Sequence, residues 1–544
     1  MSANSSFASN FETVVLTGQA AGQGSKTFQA FDRVDLNNHG DLVFQAIVDD
    51  DDSDQTKTYA NYYVSRHGGG GRIALESVVS DASWVVGHSR TGYKDAGPLW
   101  NTQINDNGTI GYVKRTATWN GGLMDRTTTA PFEVVMFSGG VRSVLARTGT
   151  VTPFGVVDSN PADVYAIDHG TPLDYFELGE DDVTYFSAEL KPSMSGWPTT
   201  SLGFLSASSS GIGRVFVEGD EVSGGDFAFQ ANPYETYKFA ANSHGDAVFA
   251  HRYPYEDVPG LSFNGNVTFF DASAGTYQKV IEAGAQAVGL SDGSYYQIGP
   301  KHSQGLMLND NGTAIIQVYV HINEINAQRP SLYLYKDGAL SFIATSNYGH
   351  AGSYDAAFFT MSGPLALNNR DEFLFYGMPV PAAALNLYLG DVDGFESVYE
   401  VGSLAAGFDV EGYKYTGGPN DRLWRDQEYV QLNDNGTLTF LVSIANDAGS
   451  NVDALYARGL DGALDLIAYT GMDFDVETDT GIVTKTIASF DQDVFDLNNQ
   501  NVLAFALTFT DGSSGIFTTV VPEPAAMALL LFGMAPLVMC RRGA

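Results

Sequence analysis

The chain of 544 residues has one cysteine, Cys540, so an intrachain disulfide framework and any metal site made of several cysteines are excluded. Basic residues are also scarce. Against 64 Asp and Glu stand 28 Lys and Arg, a formal net charge of −36, and a surface of that sign repels phosphate backbones and anionic bilayers. Nucleic acid is thereby excluded as a partner, whereas cations and neutral polymers are not. Charged residues make up only 17%, well below the roughly 25% of ordinary soluble domains. Common catalytic motifs are missing as well: no HExxH, no GxSxG elbow and no Walker or dinucleotide glycine loop, and the nine His show no ligand spacing.

What is present is 60 Gly, 12% aromatics and 44% hydrophobic residues, enough for a large core divided among many short strands and turns. The expected class is all-β. A nine-residue stretch, LNDNGTLTF from Leu432, returns along the chain as LNNHGDLVF (Leu36), INDNGTIGY (Ile104), LGEDDVTYF (Leu178), ANSHGDAVF (Ala241), LNDNGTAII (Leu308), LNNRDEFLF (Leu367) and LNNQNVLAF (Leu497). The steps are 68, 74, 63, 67, 59, 65 and 65 residues, with a mean of about 66, a period in the range of propellers and arrays.

Each column of the repeat has a physical reason. The first and ninth positions are apolar, so both flanking strands send a side chain into a core. The second is Asn37, Asn105, Asn242, Asn309, Asn368, Asn433 or Asn498, with Gly179 as the exception, which predicts an Asx turn. The fifth is Gly40, Gly108, Gly245, Gly312 or Gly436, with Asp182, Asp371 and Asn501 elsewhere. These three residue types tolerate a left-handed backbone, so the column calls for positive φ.

Between successive turns the spacing holds three further strands joined by short turns such as KDG at 336–338 and LDG at 460–462. One repeat thus reads as a four-stranded antiparallel sheet, the blade of a propeller. After the last turn motif the chain runs out one strand short, while residues 12–18, ETVVLTG, look like a fourth strand that precedes the first motif. Residues 1–521 are therefore expected to form an eight-bladed β-propeller, its last blade completed by the N-terminal strand so that no sheet edge is left open. The other arrangement compatible with the repeat is an open β array. The turns also resemble the family of tandem NxxGxxxAF repeats, with Asn433, Gly436 and Phe440 at the pattern's Asn, Gly and Phe and Thr439 in place of its Ala. That resemblance implies no activity.

Residues 522–544 form a separate tail: Pro522, Glu523 and Pro524, an apolar run over 525–540, then Arg541 and Arg542. As a helix the run spans about 24 Å, slightly short of the ~30 Å hydrocarbon core, and the basic end would stay cytoplasmic. This tail resembles the PEP-CTERM sorting signal, which implies export, transient residence in the inner membrane, processing by an exosortase-type enzyme, and delivery to the cell surface or matrix. Contact with the membrane is expected only through this tail. The opening residues MSANSSFASNFETVV carry neither the basic n-region nor the apolar h-region expected of an exported protein.

Candidate chemistry is sparse. His39 and His244 share the fourth column of the turn, where Asn107, Asp181, Asn311 and Asn435 stand in other copies, and they read as solvated turn residues. The acidic stretches at 48–54 and 390–396 offer oxygen ligands suited to Ca²⁺, yet neither has the distal Glu of an EF-hand; the second occupies a hairpin-turn place and the first an extended connection. No cofactor is expected, and Ca²⁺ only as an incidental surface ion. Aromatics at 59–64 and 232–239, with Trp100, Trp119, Trp197 and Trp424, lie in or near connections where rings could stack on polysaccharide, although packed sheets also use such rings between blades. Two functions follow: a non-enzymatic surface or matrix propeller that works by contact, or a polysaccharide lyase or glycosidase whose carboxylates gather from separate blades at the axis.

Overall fold

A computed structural model of the chain describes residues 11–521 apart from connecting segments, the longest being 82–98, 116–131, 158–175, 192–200, 229–238, 253–264, 347–357 and 418–429. Among the described residues there is no helix, and hence none long and apolar enough to cross a membrane. Eight antiparallel blades stand in a ring. In the seventh, Val430–Leu432 leads into the Asn turn, Leu438–Ala445 returns, and Asn451–Arg458 and Leu464–Tyr469 follow outward.

Burial falls from the middle of each blade to its rim. The second strands Leu438–Ala445 and Val502–Phe509 are buried almost along their whole length, because both of their faces meet a neighbouring blade. Outer strands such as Val141–Arg147 alternate between solvent and cover. Eight hydrophobic clusters result, and each spans one blade-to-blade interface. Phe216 and Phe249 stack at 4.4 Å between the third and fourth blades, and Tyr399 lies 5.5 Å from Phe440 between the sixth and seventh. The first and ninth motif positions serve these cores: Leu36, Ile104 and Leu497 are buried, as are Phe44, Tyr112, Ile316, Phe440 and Phe505.

The ring closes as the repeat count requires. Glu12–Leu16 adds to Ser514–Val520 as the fourth strand of the last blade, pairing Glu12 with Thr518 and Leu16 with Gly515. Thr17 fastens the end of this strand, its N–H donating to the Ser514 carbonyl at 2.8 Å while its Oγ1 accepts from the Ser514 N–H at 2.9 Å. This pairing excludes the open array.

The inner strands are less regular than the repeat suggests. In the fifth and seventh blades a separate segment, Gly293–Ile298 or Lys414–Gly417, pairs with the outer half of the second strand, and only three residues precede the turn. In the first, Thr27–Leu36 runs unbroken but carries register shifts at Phe28/Ala30 and Phe31/Val34. Bulges of this kind break the two-residue alternation on which a strand reading depends.

All eight fifth-position residues have positive φ, from 59° at Asn501 to 84° at Gly245. At Gly245 an added Cβ would also stand 2.8 Å from the Tyr185 hydroxyl. Gly245→Ala is accordingly expected to destabilise the protein by about 1–3 kcal/mol, measured by urea unfolding; an unchanged midpoint would show that the turn relaxes freely.

Candidate functional site at the collar of turns

The eight turns meet around the axis as a collar. Within a turn the Asn side chain does what an Asx turn requires: Asn433 Oδ1 accepts the N–H of Asn435 at 3.1 Å and of Thr437 at 2.8 Å, and the Gly436 N–H closes onto the Asn433 carbonyl at 3.0 Å. In the third blade, where Gly179 has no side chain to offer, Asp181 Oδ1 takes the Val183 N–H at 3.2 Å instead. There a Cβ on residue 179 would stand 2.8 Å from the Ser243 carbonyl oxygen of the next blade.

The other end of each Asn side chain leaves its own blade. Nδ2 donates to the backbone carbonyl of the second-position residue in the following blade: Asn37 to Asn105, Asn105 to Gly179, Asn242 to Asn309, Asn309 to Asn368, Asn368 to Asn433, Asn433 to Asn498, and Asn498 back to Asn37, at 2.7–3.2 Å. All seven links run in the same rotational sense. In five of the seven the second amide hydrogen is served in one of two ways. Asn105, Asn309 and Asn433 find Asp182, Asp371 and Asn501 at the fifth position of the next blade, at 2.7–2.9 Å. Asn242 and Asn368 face a glycine there and turn to Asp246 and Glu372 of their own turns, at 3.1 and 2.8 Å.

A second ring lies beside the first. The third-position N–H donates to the third-position side chain of the next blade in seven pairs, among them Asn38 to Asp106, Asp106 to Glu180, Asp310 to Asn369, Asp434 to Asn499 and Asn499 back to Asn38. The residue just before each motif adds a third level on part of the circle. Asp496 Oδ2 accepts the Leu36 N–H at 2.7 Å, Asp35 Oδ2 accepts that of Ile104 at 2.6 Å, and Gln103 Oε1 accepts that of Leu178 at 2.7 Å.

Burial and neighbouring acids set the protonation of the half-buried carboxylates at this level. Burial raises Glu177 to about 7 despite its bond from Gln103, and burial raises Asp496 to about 6 against the backbone N–H groups of Leu36 and Leu497. Asp35 is held well above the ordinary range by burial first and then by the charge of Asp496. Chemically, the axial wall can offer carboxylic acids that keep their proton near neutrality. No three His, Cys, Asp or Glu side chains among the described residues are arranged to hold a metal ion.

The structure brings the predicted turn residues together, but as parts of the frame. His39 and His244 are exposed, and their backbone N–H groups donate to Asn37 and Asn242. The acidic stretch at 390–396 is a hairpin turn in which Asp391 Oδ1 accepts from Asp393 and Gly394. Tyr59 and Tyr62 are buried in the first blade and unavailable to a sugar. The sorting residues Pro522, Glu523, Pro524, Arg541 and Arg542, the acidic run 50–54, Trp119, Trp197 and Trp424, most of 232–239 and the Trp100 side chain lie outside the described residues. Asp35, Gln103, Glu177, Gln431 and Asp496 were not singled out from the sequence. Their signal is an acid or amide directly before the motif in five of eight copies, against Ala240, Met307 and Ala366 in the others.

Comparison with known proteins leaves the site to be read from its own side chains. No curated protein matches the chain. Among solved structures it is similar to the β-propeller domain of the Trilobed protease from Pyrococcus furiosus, at 10% identity over 78% of this chain and 94% of that one with a TM-score of 0.34. It is also similar to the α-L-arabinofuranosidase Arb93A from Fusarium graminearum, at 10% identity over 67% and 95% with a TM-score of 0.28. An ulvan-type polysaccharide lyase matches at 10% identity over 91% and 95%, with a TM-score of 0.29. The model of the Family of unknown function (DUF7453) matches residues 75–528.

Proposed function

Since the chain belongs to the Family of unknown function (DUF7453), we propose its role from its own architecture: an exported β-propeller that works at the cell surface or in the extracellular matrix by non-covalent contact, without catalysis. One observation carries this reading. The polar side chains at the axis are engaged in holding one blade to the next, so the groups that an enzyme would turn toward a substrate here serve the frame. The PEP-CTERM-like tail at 522–544 supports delivery through the inner membrane and removal by an exosortase-type enzyme. The acidic surface supports contact with neutral extracellular polysaccharide rather than with nucleic acid, and no cofactor enters beyond incidental Ca²⁺.

A second reading has its own observation. Burial raises Glu177 to about 7 and holds Asp35 and Asp496 above the ordinary carboxylate range, as suits a general acid, which favours a lyase or glycosidase with its site at the axis. The two are separated by presenting protein that lacks residues from 522 onward to a glycan array and to a polysaccharide depolymerisation screen. Binding without release of new reducing or unsaturated ends is expected. Turnover abolished by Glu177→Gln in a protein that still folds would overturn the non-enzymatic reading in favour of the second.

A further inference from the structure

The carboxylates Asp496 and Asp35 stand on consecutive blades, and each accepts a backbone N–H from the blade after it, so the pair ties the last blade to the first and the first to the second. This is the junction at which the ring closes. The groups that act on Asp35 are Asp496 from the last blade and Glu177 and Glu180 from the third, every one acidic. Glu177 in turn faces the Gln103 amide of the second blade and the charge of Asp310 from the fifth, and Glu180 faces Asp106, Asp182 and Asp310. Asp496 is met by the backbone N–H groups of Leu36 and Leu497. Two other blades place a neutral amide at the same position, Gln103 and Gln431, and Gln103 makes the same kind of bond to the next blade with no charge at all.

We propose that the closing junction is a proton-dependent clasp, tight while Asp35 and Asp496 carry a proton between them and loosened when both are ionised. The bond each makes to the next blade needs only a lone pair, which the protonated and ionised forms both supply. What changes on ionisation is the repulsion between the two charges and those of Glu177 and Glu180, in a buried setting where such repulsion is strong.

The sign follows from linkage. These groups are raised in the folded protein above their unfolded values near 4, so the folded state binds more protons. The contribution of Glu177 and Asp496 to stability is complete below about pH 4 and is lost as pH rises through about 6–7, where these two ionise in the fold, and Asp35, also raised, acts in the same direction. On the full chain the thermal midpoint is expected to fall by about 3–6 °C between pH 5 and pH 8. The double variant Asp35→Asn/Asp496→Asn keeps an oxygen for each bond and is expected to lose at least half of that fall, with a higher midpoint than the parent at pH 8. Asp473→Asn/Asp475→Asn, which removes the same charge from an exposed hairpin, is expected to keep the parent's slope. A parent midpoint that is level or rises from pH 5 to pH 8 would overturn the clasp, as would a double variant that follows the parent's slope. If the double variant fails to fold, Glu177→Gln and the parent profile decide the matter in the same way.

Discussion

Deletion of residues 1–17 is expected to open the ring and to make the protein self-associate beyond the size of the parent. The deleted strand buries Val15 and Leu16, and Phe11 packs on Phe474 with ring centroids 4.5 Å apart. At about 1.5–3 kcal/mol for each large apolar side chain, the loss is roughly 5 kcal/mol before the ladder bonds are counted. The ladder matters in another way: Ser514–Val520 becomes an edge strand carrying Ile516 and Phe517, ready to pair with another chain. Light scattering after gel filtration, together with thermal unfolding, reads both effects. Because Glu12–Leu16 runs antiparallel to Ser514–Val520, the same residues placed after Val521 through a short turn should re-enter the slot and restore the parent's size. A truncated protein that kept the parent's size and midpoint would mean that the closing strand contributes nothing to the ring.

The second large effect is expected at Asn433. Changing it to Ala leaves the N–H groups of Asn435 and Thr437, the carbonyl of Asn498 and the side-chain oxygen of Asn501 without this partner, all inside the collar. Buried groups left in that state cost about 1–3 kcal/mol each, partly recovered by relaxation, so a loss of about 3–5 kcal/mol is expected. Asn433→Asp is the informative control. It keeps both acceptor functions but replaces the donor with a carboxylate facing two oxygens, so it should be at least as damaging as Ala. Were Asp tolerated and Ala not, the side chain would serve only its own turn, and the blade-to-blade bond would contribute nothing measurable.

That distinction marks how far the sequence could be read. The near-66-residue spacing, the apolar flanks and the positive-φ column were legible because each reports a local demand, and Asp182, Asp371 and Asn501 confirm it by adopting φ of 61°, 64° and 59°. The closing strand was legible from the missing fourth strand alone. The outward half of the Asn amide was not, since its partner lies one repeat away and only the ring places residue 433 beside residue 498. Asp35 and Asp496 escaped for a different reason. Their position is polar on one arc of the circle and apolar at Ala240, Met307 and Ala366, so the column shows no single preference. The split inner strands were hidden by bulges that shift the alternation.

The two ways of serving the second amide hydrogen have an evolutionary consequence. Asn309 with Thr313 expects a carboxylate ahead of it, as Asp371 provides, whereas Asn368 with Glu372 expects a bare glycine, as Gly436 provides. A blade copied and inserted elsewhere would bring its habits to the wrong neighbours, leaving one amide short of an acceptor or setting two carboxylates against each other. Adding or removing one blade of this ring would therefore require compensating changes on both sides of the graft.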